Sequence, residues 1–318
     1  MKTTKISSQP QLRVSICVPT YRRSDSLRRL LSGVGELSFC KVPPPDIRII
    51  VVDNDASESG RETCEMARLP WQLKYVVEPH RGIAQARNRA IRESTGADFI
   101  AFIDDDEVPV SGWLDELLWT RAESGADVVC GPVLPSFAAD VPEWVKTGGF
   151  FHRETYHSDS SPDGCRSGNV LIHRTVFDTV EMFDERFGLT GGEDTQFFLR
   201  VRLAGHRIAA SHEAAVYESV STARANLRWV LRRAYQSGNS WALCESSLDR
   251  RAATRAVRTL KACGWIFFGA ATACISPLFG MKALAKSLRN CCLGAGMLMA
   301  VAGQSFQAYE SPDTELST

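Results

Sequence analysis

The chain carries no net charge to speak of: Lys and Arg total 37 in 318 residues, and Asp and Glu also total 37. Overall charge therefore points to no polyanionic partner. Its 10 cysteines include no Cys-x-x-Cys pair, the spacing by which thiols usually announce a metal or redox site. Several lie in apolar runs and read as small buried hydrophobes. A long chain with unpatterned cysteine fits a reducing cytosol. No Gly-x-Gly-x-x-Gly follows the first predicted strand and no Gly-x-x-x-x-Gly-Lys-Ser/Thr occurs. These absences exclude a Rossmann dinucleotide site and a P-loop. Met1 to Gln11 is polar and lacks an apolar signal core, so no export signal is expected. No internal repeat or low-complexity stretch is evident.

What is present is alternation. Val14 to Val18, Ile47 to Val52, Leu73 to Val77, Phe99 to Ile103 and Ala126 to Cys130 read as strands. Between them lie predicted helices over Ser24 to Leu31, Ile83 to Ser94 and about Gly112 to Arg121. Such alternation implies an α/β fold, a parallel sheet with helices on both faces. Pro132 to Arg166 is irregular and rich in Pro, Gly, Ser and aromatics, and a loop that long suggests binding. Asn169 to His173 reads as a further strand, and Asp194 to Ala204 as a helix closed by Gly205.

Phe99-Ile100-Ala101-Phe102-Ile103 is uncharged and runs straight into Asp104-Asp105-Asp106. A strand buried on both faces that ends in carboxylates admits two readings. One is an acidic turn that stops the strand. The other uses side-chain alternation: Asp104 and Asp106 point one way and make a hard oxygen site for Mg²⁺ or Mn²⁺ holding a diphosphate. Thr20, Tyr21, Asp53 and Asp55 also follow strand ends, where ligand loops lie in such sheets. For any one of them taken alone, turn chemistry is the stronger reading. Arg87 falls on the apolar stripe between Ile83 and Ile91, so it needs an anionic partner. It serves either a structural ion pair or a nucleotide contact beside Asn88. Asp194 opens its helix, as an N-cap or as an ionised general base.

Taken in order, these stretches resemble a family 2, GT-A-type glycosyltransferase. The matching residues are Val14 to Arg23, Val51 to Asp55, Gly82 with Ala86-Arg87-Asn88, Asp104-x-Asp106 and Gly192-Glu193-Asp194. Glu78 to Ala84, Phe102 to Glu107 and Gly191 to Thr195 are most similar to the succinoglycan-type exopolysaccharide glucosyltransferases. The resemblance implies a GT-A fold over residues 12–223, a Rossmann-like, mostly parallel sheet flanked by helices. It implies inverting transfer of a single sugar, glucose, from a UDP-sugar. Pro19, Thr20, Tyr21, Arg23, Asp53, Asp55, Gly82, Arg87, Asn88, Asp104, Asp105, Gly168 and Asn169 would contact the nucleotide sugar. Asp104 and Asp106 would bind its diphosphate through Mg or Mn, Asp106 most directly. Asp194 would be the catalytic base, with Glu193 beside it. Two departures stand out. Where relatives place a His after the base helix, this chain has Glu218, with His212 nearby, as candidates to complete the metal shell. The processive Gln-x-x-Arg-Trp motif is replaced by Arg232-Arg233-Ala234-Tyr235, which suits one addition rather than polymerisation.

Residues 224–318 differ in character. Twelve basic residues lie from Arg224 to Arg289, opposed only by Glu245 and Asp249. Two uncharged stretches, Ala262 to Met281 and Asn290 to Tyr309, are each long enough to cross a bilayer. A spanning hairpin would put Lys282, Lys286 and Arg289 outside, against the positive-inside tendency. Helices lying in the cytosolic leaflet fit better, and a buried soluble pair stays open. The expected partners are thus a lipid-linked glycan acceptor and the cytoplasmic face of the inner membrane. Nucleic acid is not expected, because no module signature or aromatic stacking platform appears. Two rival functions remain at this point, nucleotidyl transfer and an inactive sugar-nucleotide-binding scaffold in a membrane synthase complex.

Overall fold

The apolar runs between helical segments become strands in the computed structural model, which describes residues 11–152, 165–249 and 251–307. The polar start, the middle of the aromatic loop and the end of the second uncharged stretch lie outside the described residues. The strands are β1 (Arg13–Thr20), β2 (Asp46–Asp53), β3 (Gln72–Val77), β4 (Phe99–Ile103), β5 (Glu107–Pro109), β6 (Val128–Cys130), β7 (Val133–Phe137), β8 (Asn169–His173), β9 (Ile208–Ala210) and β10 (Val216–Val220). The helices are α1 (Ser24–Gly35), α2 (Arg61–Met66), α3 (Ile83–Glu93), α4 (Trp113–Ser124), α5 (Glu143–Lys146), α6 (Val176–Thr179), α7 (Glu193–Leu203), α8 (Leu227–Leu248), α9 (Ala252–Ile275) and α10 (Met281–Val301).

Seven strands form one sheet in the order β3-β2-β1-β4-β8-β6-β9, and β5-β10-β7 form a second, smaller one. The large sheet is parallel except at β8, which runs antiparallel to both β4 and β6. Register decides what meets at its carboxyl edge. Thr20 pairs with Asp53 and Asp53 with Val77, so β1, β2 and β3 end level. Because β8 is reversed, its first residue, Asn169, pairs with Ile103 at the end of β4. The small sheet does the same for a later segment: Glu218 on β10 lies opposite Glu107 on β5.

Side chains alternate across the large sheet into two cores. On β4, Phe99, Ala101 and Ile103 face α1 and α4, whereas Ile100 and Phe102 face α3 and α7. All five are buried, as an uncharged central strand requires. Full burial of a side chain such as Phe102 or Leu114 contributes on the order of 2 kcal/mol.

Three expectations change. The region read as irregular from Pro132 contains β7 and α5, because its short apolar pieces find a partner strand only through β10. Cys130 and Cys165 form a disulfide with Cα atoms 6.0 Å apart. The unpatterned spacing of the cysteines gives no sign of this pair. Antiparallel β8, which sets Val170 opposite Cys130, brings the preceding Cys165 into reach. Finally, the two uncharged stretches are not two matching spans. α10 starts at Met281 and ends at Val301, so it includes Lys282, Lys286 and Arg289. It packs on α8 and α9 through small residues. A Cβ on Gly238 would lie 2.0 Å from the Leu293 carbonyl oxygen, and one on Gly296 2.0 Å from that of Tyr235. The Gly and Ala content that lowered apolarity in the sequence permits this close helix approach. Among the described residues, one segment, Ala252–Phe279, is long and apolar enough to cross a membrane.

Asn169 ties the two sheets together. Its Oδ1 accepts from Trp113 Nε1 at 2.7 Å, and its Nδ2 donates to the carbonyls of Pro132 (3.0 Å) and Ala214 (2.7 Å). Asn169→Ala would orphan the buried Trp113 Nε1 and the Ala214 carbonyl, while the Pro132 carbonyl keeps its bond from Val216 N, and is expected to cost about 2 kcal/mol or more. Urea unfolding measures this; a loss below about 1 kcal/mol would show that these bonds do not hold the sheets.

Candidate active site

The carboxyl edge of the large sheet borders a cavity of about 590 Å³. Of the residues anticipated for the site, Pro19, Thr20, Tyr21, Arg23, Gly82, Arg87, Asp104, Asp105, Asp106, Gly168, Glu193, Asp194 and Glu218 line it. Asp53, Asp55, Asn88, Asn169 and His212 stand outside that lining. Asp53 is buried and accepts from Asp55 N, Gly60 N and Tyr75 Oη at 2.7–3.0 Å. Asp55 accepts from Arg22 and from Ser57 N. Asn88 bonds both ways to the Phe183 backbone, which anchors the segment before α7. Each is a strand-end or helix polar residue whose bonds are used within the protein.

The three aspartates divide by partner. Asp104 Oδ1 accepts from Arg87 at 2.8 Å. Asp105 is buried, accepts from Thr20 Oγ1 at 2.8 Å and Arg23 at 3.2 Å, and burial pushes its carboxyl up to about 6. Asp106 meets Arg23 at 3.2 Å and Arg224 at 3.6 Å. Burial, then the nearby Glu218 carboxylate, raises the Asp106 carboxyl above its ordinary value. Arg224 also pairs with Glu218 at 2.5 Å and lies over the rings of Trp229 and Phe151.

Gly168 is needed where β8 begins. Its carbonyl accepts from Asp104 N, and an added Cβ would stand 2.6 Å from Glu107 Oε1 and 3.0 Å from Asp104 Oδ2. Gly191 and Gly192 hold φ of +74° and +94°, which only glycine adopts readily. That turn starts α7 directly at Glu193, so neither acidic residue is the N-cap. Arg87 donates to Glu193 as well as to Asp104, so it links α7 to the end of β4. Asp194, on the cavity wall, accepts from Thr195 N at 2.6 Å.

The donors fit a hard divalent cation. Asp104, Asp106 and Glu218 supply oxygen only, the preference of Mg²⁺ and Mn²⁺. Burial and the neighbouring Glu218 raise the Asp106 carboxyl, a cost that a cation would offset. Among the described residues no three His, Cys, Asp or Glu form a closed cage. The set suits an ion held by one or two carboxylates, its remaining positions filled by diphosphate oxygens.

Sequence reading missed several wall residues. Asn54 donates to the carbonyls of Glu78 and His80 and accepts from Gly82 N, so it shapes the loop beside Arg81 and Tyr21. Its place between two aspartates was the available signal. Trp229, Trp241, Trp265 and Met297, from α8, α9 and α10, also line the cavity. No local pattern marks them, since they arrive by packing.

The sheet order, the acidic strand end and the carboxylate at the start of α7 define a GT-A-type glycosyltransferase fold. The profile of glycosyl transferase family 2 matches residues 15–180, and the chain belongs to that family. It is 38% identical over 236 residues to the succinoglycan biosynthesis protein ExoM of Rhizobium meliloti, covering 72% of this chain and 74% of that one. It is 24% identical over 202 residues to the glycosyltransferase AglE of Haloferax volcanii, covering 63% and 64%. Among solved structures, the mannosyltransferase PcManGT of Pyrobaculum calidifontis, in complex with GDP-Man and Mn²⁺, aligns with a TM-score of 0.62 at 17% identity. That alignment covers 93% of this chain and 88% of the other. S. aureus TarS 1-349 in complex with UDP aligns at 0.52 and 17%, covering 93% of each.

Burial raises the Glu193 carboxyl, and its ion pair with Arg87 pulls the other way.

Proposed function

We propose that the protein transfers one sugar, glucose, from a UDP-sugar to a lipid-linked glycan acceptor with inversion at the anomeric carbon. The observation that carries this reading is that Asp194, Asp104 and Asp106 line one cavity, with Arg87 ion-paired to both Asp104 and Glu193. The likeness to the succinoglycan biosynthesis protein supports a role in exopolysaccharide or surface polysaccharide synthesis.

Thr20, Tyr21, Asn54, Arg81 and Gly82 surround the end of the cavity suited to the nucleoside. Asp104 and Asp106, with Glu218 beside them, would hold a Mg²⁺ or Mn²⁺ ion, which when bound neutralises charge on the departing diphosphate. Arg23 and Arg224, already close to Asp106, add positive charge on the same side. Asp194 lies in the first turn of α7, where the helix dipole favours the carboxylate. It takes the proton of the acceptor hydroxyl as that oxygen attacks the anomeric carbon and UDP leaves from the opposite face. An aspartate is a weak base, so proton transfer accompanies bond breaking rather than preceding it. Glu193 positions the turn through Arg87. Asp194→Asn is expected to lower transfer by about a thousandfold or more, while UDP affinity stays within about twofold. UDP-release assays and calorimetry read the two effects. Wild-type turnover in the variant would reject the assignment.

The same reading places the protein at the cytoplasmic face of the inner membrane, where Cys130 and Cys165 would stand as neighbouring thiols in a reducing milieu. The support is an exposed apolar surface continuing along α9 and the turn after it: Phe267 is 77% exposed, Leu278 84% and Phe279 72%. Arg255, Lys261 and Lys282 flank it. Because α10 forms part of the cavity wall, point variants test membrane contact better than truncation. Replacing Phe267, Leu278 and Phe279 by Ser should shift most of the protein to the soluble fraction on flotation with anionic vesicles. Unchanged flotation would remove α9 as the contact.

A further inference from the structure

Eight arginines among the described residues line the cavity; Arg81 lies over the Tyr21 ring, Arg233 donates to Gln236, and the other six are of two kinds. Arg23, Arg87 and Arg224 each stand against carboxylates. Arg166, Arg232 and Arg289 line the same cavity, are exposed, and have no ion pair among the described residues. They come from three separate elements: the segment before β8, the middle of α8 and the middle of α10. Arg232 approaches the face of the Phe306 ring at 5.7 Å. Trp241 on α8 and Trp265 on α9 line the same cavity. Three residues past Trp265 along α9, Phe268 is 56% exposed on the apolar surface described above.

The inner arginines are offset by the aspartates and glutamates around them. The outer three face no such carboxylate among the described residues, and two of them stand on α8 and α10, the helices that pack with α9. Guanidinium groups suit phosphate oxygens because their planar fork donates two parallel hydrogen bonds. Indole faces in the same cavity suit a sugar ring or an isoprenoid chain.

We propose that this outer wall is a second anion subsite, which binds the phosphate or diphosphate joining the acceptor glycan to its lipid. It is distinct from the place of the donor diphosphate, beside Asp104 and Asp106. The C-terminal helices then select the acceptor as well as meeting the membrane. This inference rests on the transferase reading above. It goes further by assigning the acceptor's charged link to Arg166, Arg232 and Arg289.

The test uses the full chain in detergent, with farnesyl diphosphate, farnesol and inorganic pyrophosphate as probes in calorimetry. Wild-type protein should bind farnesyl diphosphate about tenfold more tightly than either of the others. Arg232→Gln combined with Arg289→Gln should weaken that binding by about tenfold or more, the size of one or two lost charge-assisted bonds. UDP affinity should stay within about twofold in the same variant, which also checks folding. Unchanged farnesyl diphosphate binding in the variant would overturn the proposal, as would equal affinity for inorganic pyrophosphate. Displacement by phosphatidylglycerol vesicles at matched phosphate would also overturn it, because the patch would then be a general bilayer contact. Parallel loss of UDP binding would move these arginines to the donor site and overturn it too. Wild-type protein that discriminates the diphosphate lipid but binds no UDP would instead reject the nucleotide-sugar reading and leave the subsite standing.

Discussion

Arg87 is the cation shared by Asp104 at the end of β4 and Glu193 at the start of α7, and the catalytic arrangement depends on it. Burying its guanidinium is costly unless it is paired, and it is paired on both sides. The two carboxylates, far apart in sequence, are thereby held at a fixed separation. Asp194, one residue after Glu193, inherits that position. Were the cation absent, two acidic segments would face each other in a poorly hydrated space, and their repulsion would push the first turn of α7 away from the strand ends.

Around this link the fold repeats one device, the delivery of a distant carboxylate or glycine to the end of β4 by a reversed strand. β8 runs against β4 and brings Gly168 to Asp104. β10 runs against β5 and brings Glu218 to Asp106, with Arg224 following. The reversal of β8 breaks the parallel pattern of the large sheet just where the site is built, and that of β10 lies in the separate small sheet. Closely packed negative charge is tolerated because Arg23, Arg87 and Arg224 are interleaved with it, and because the arrangement suits a cation and a diphosphate.

The C-terminal helices extend the same logic outward. Their basic residues look in the sequence like a membrane-binding tail. In the fold the positive charge is divided. Arg255 and Lys261 flank the apolar surface of α9, whereas Arg232 and Arg289 turn to the cavity. Glycines at the α8–α10 contact make that division possible, since a larger side chain at Gly238 or Gly296 would force the helices apart and open the wall.

Much of the catalytic half was legible from local pattern. The alternation of strands and helices, the double-sided burial of β4, the acidic strand end, the buried Arg87 in need of an anion and the Gly-Gly turn before Glu193 all follow from short-range chemistry. Periodicity and φ preference act over a few residues. What tertiary structure alone decided is which polar groups face the cavity. Asp53, Asp55, Asn88 and Asn169 read like site residues but spend their hydrogen bonds on backbone and neighbouring side chains. Trp229, Trp265 and Arg289 carry no local mark yet line the wall. The Cys130–Cys165 link and the docking of α10 belong to the same class. Strand direction and helix contact bring such partners together across long sequence separations. A side chain's orientation depends on those contacts, which no neighbouring residue encodes.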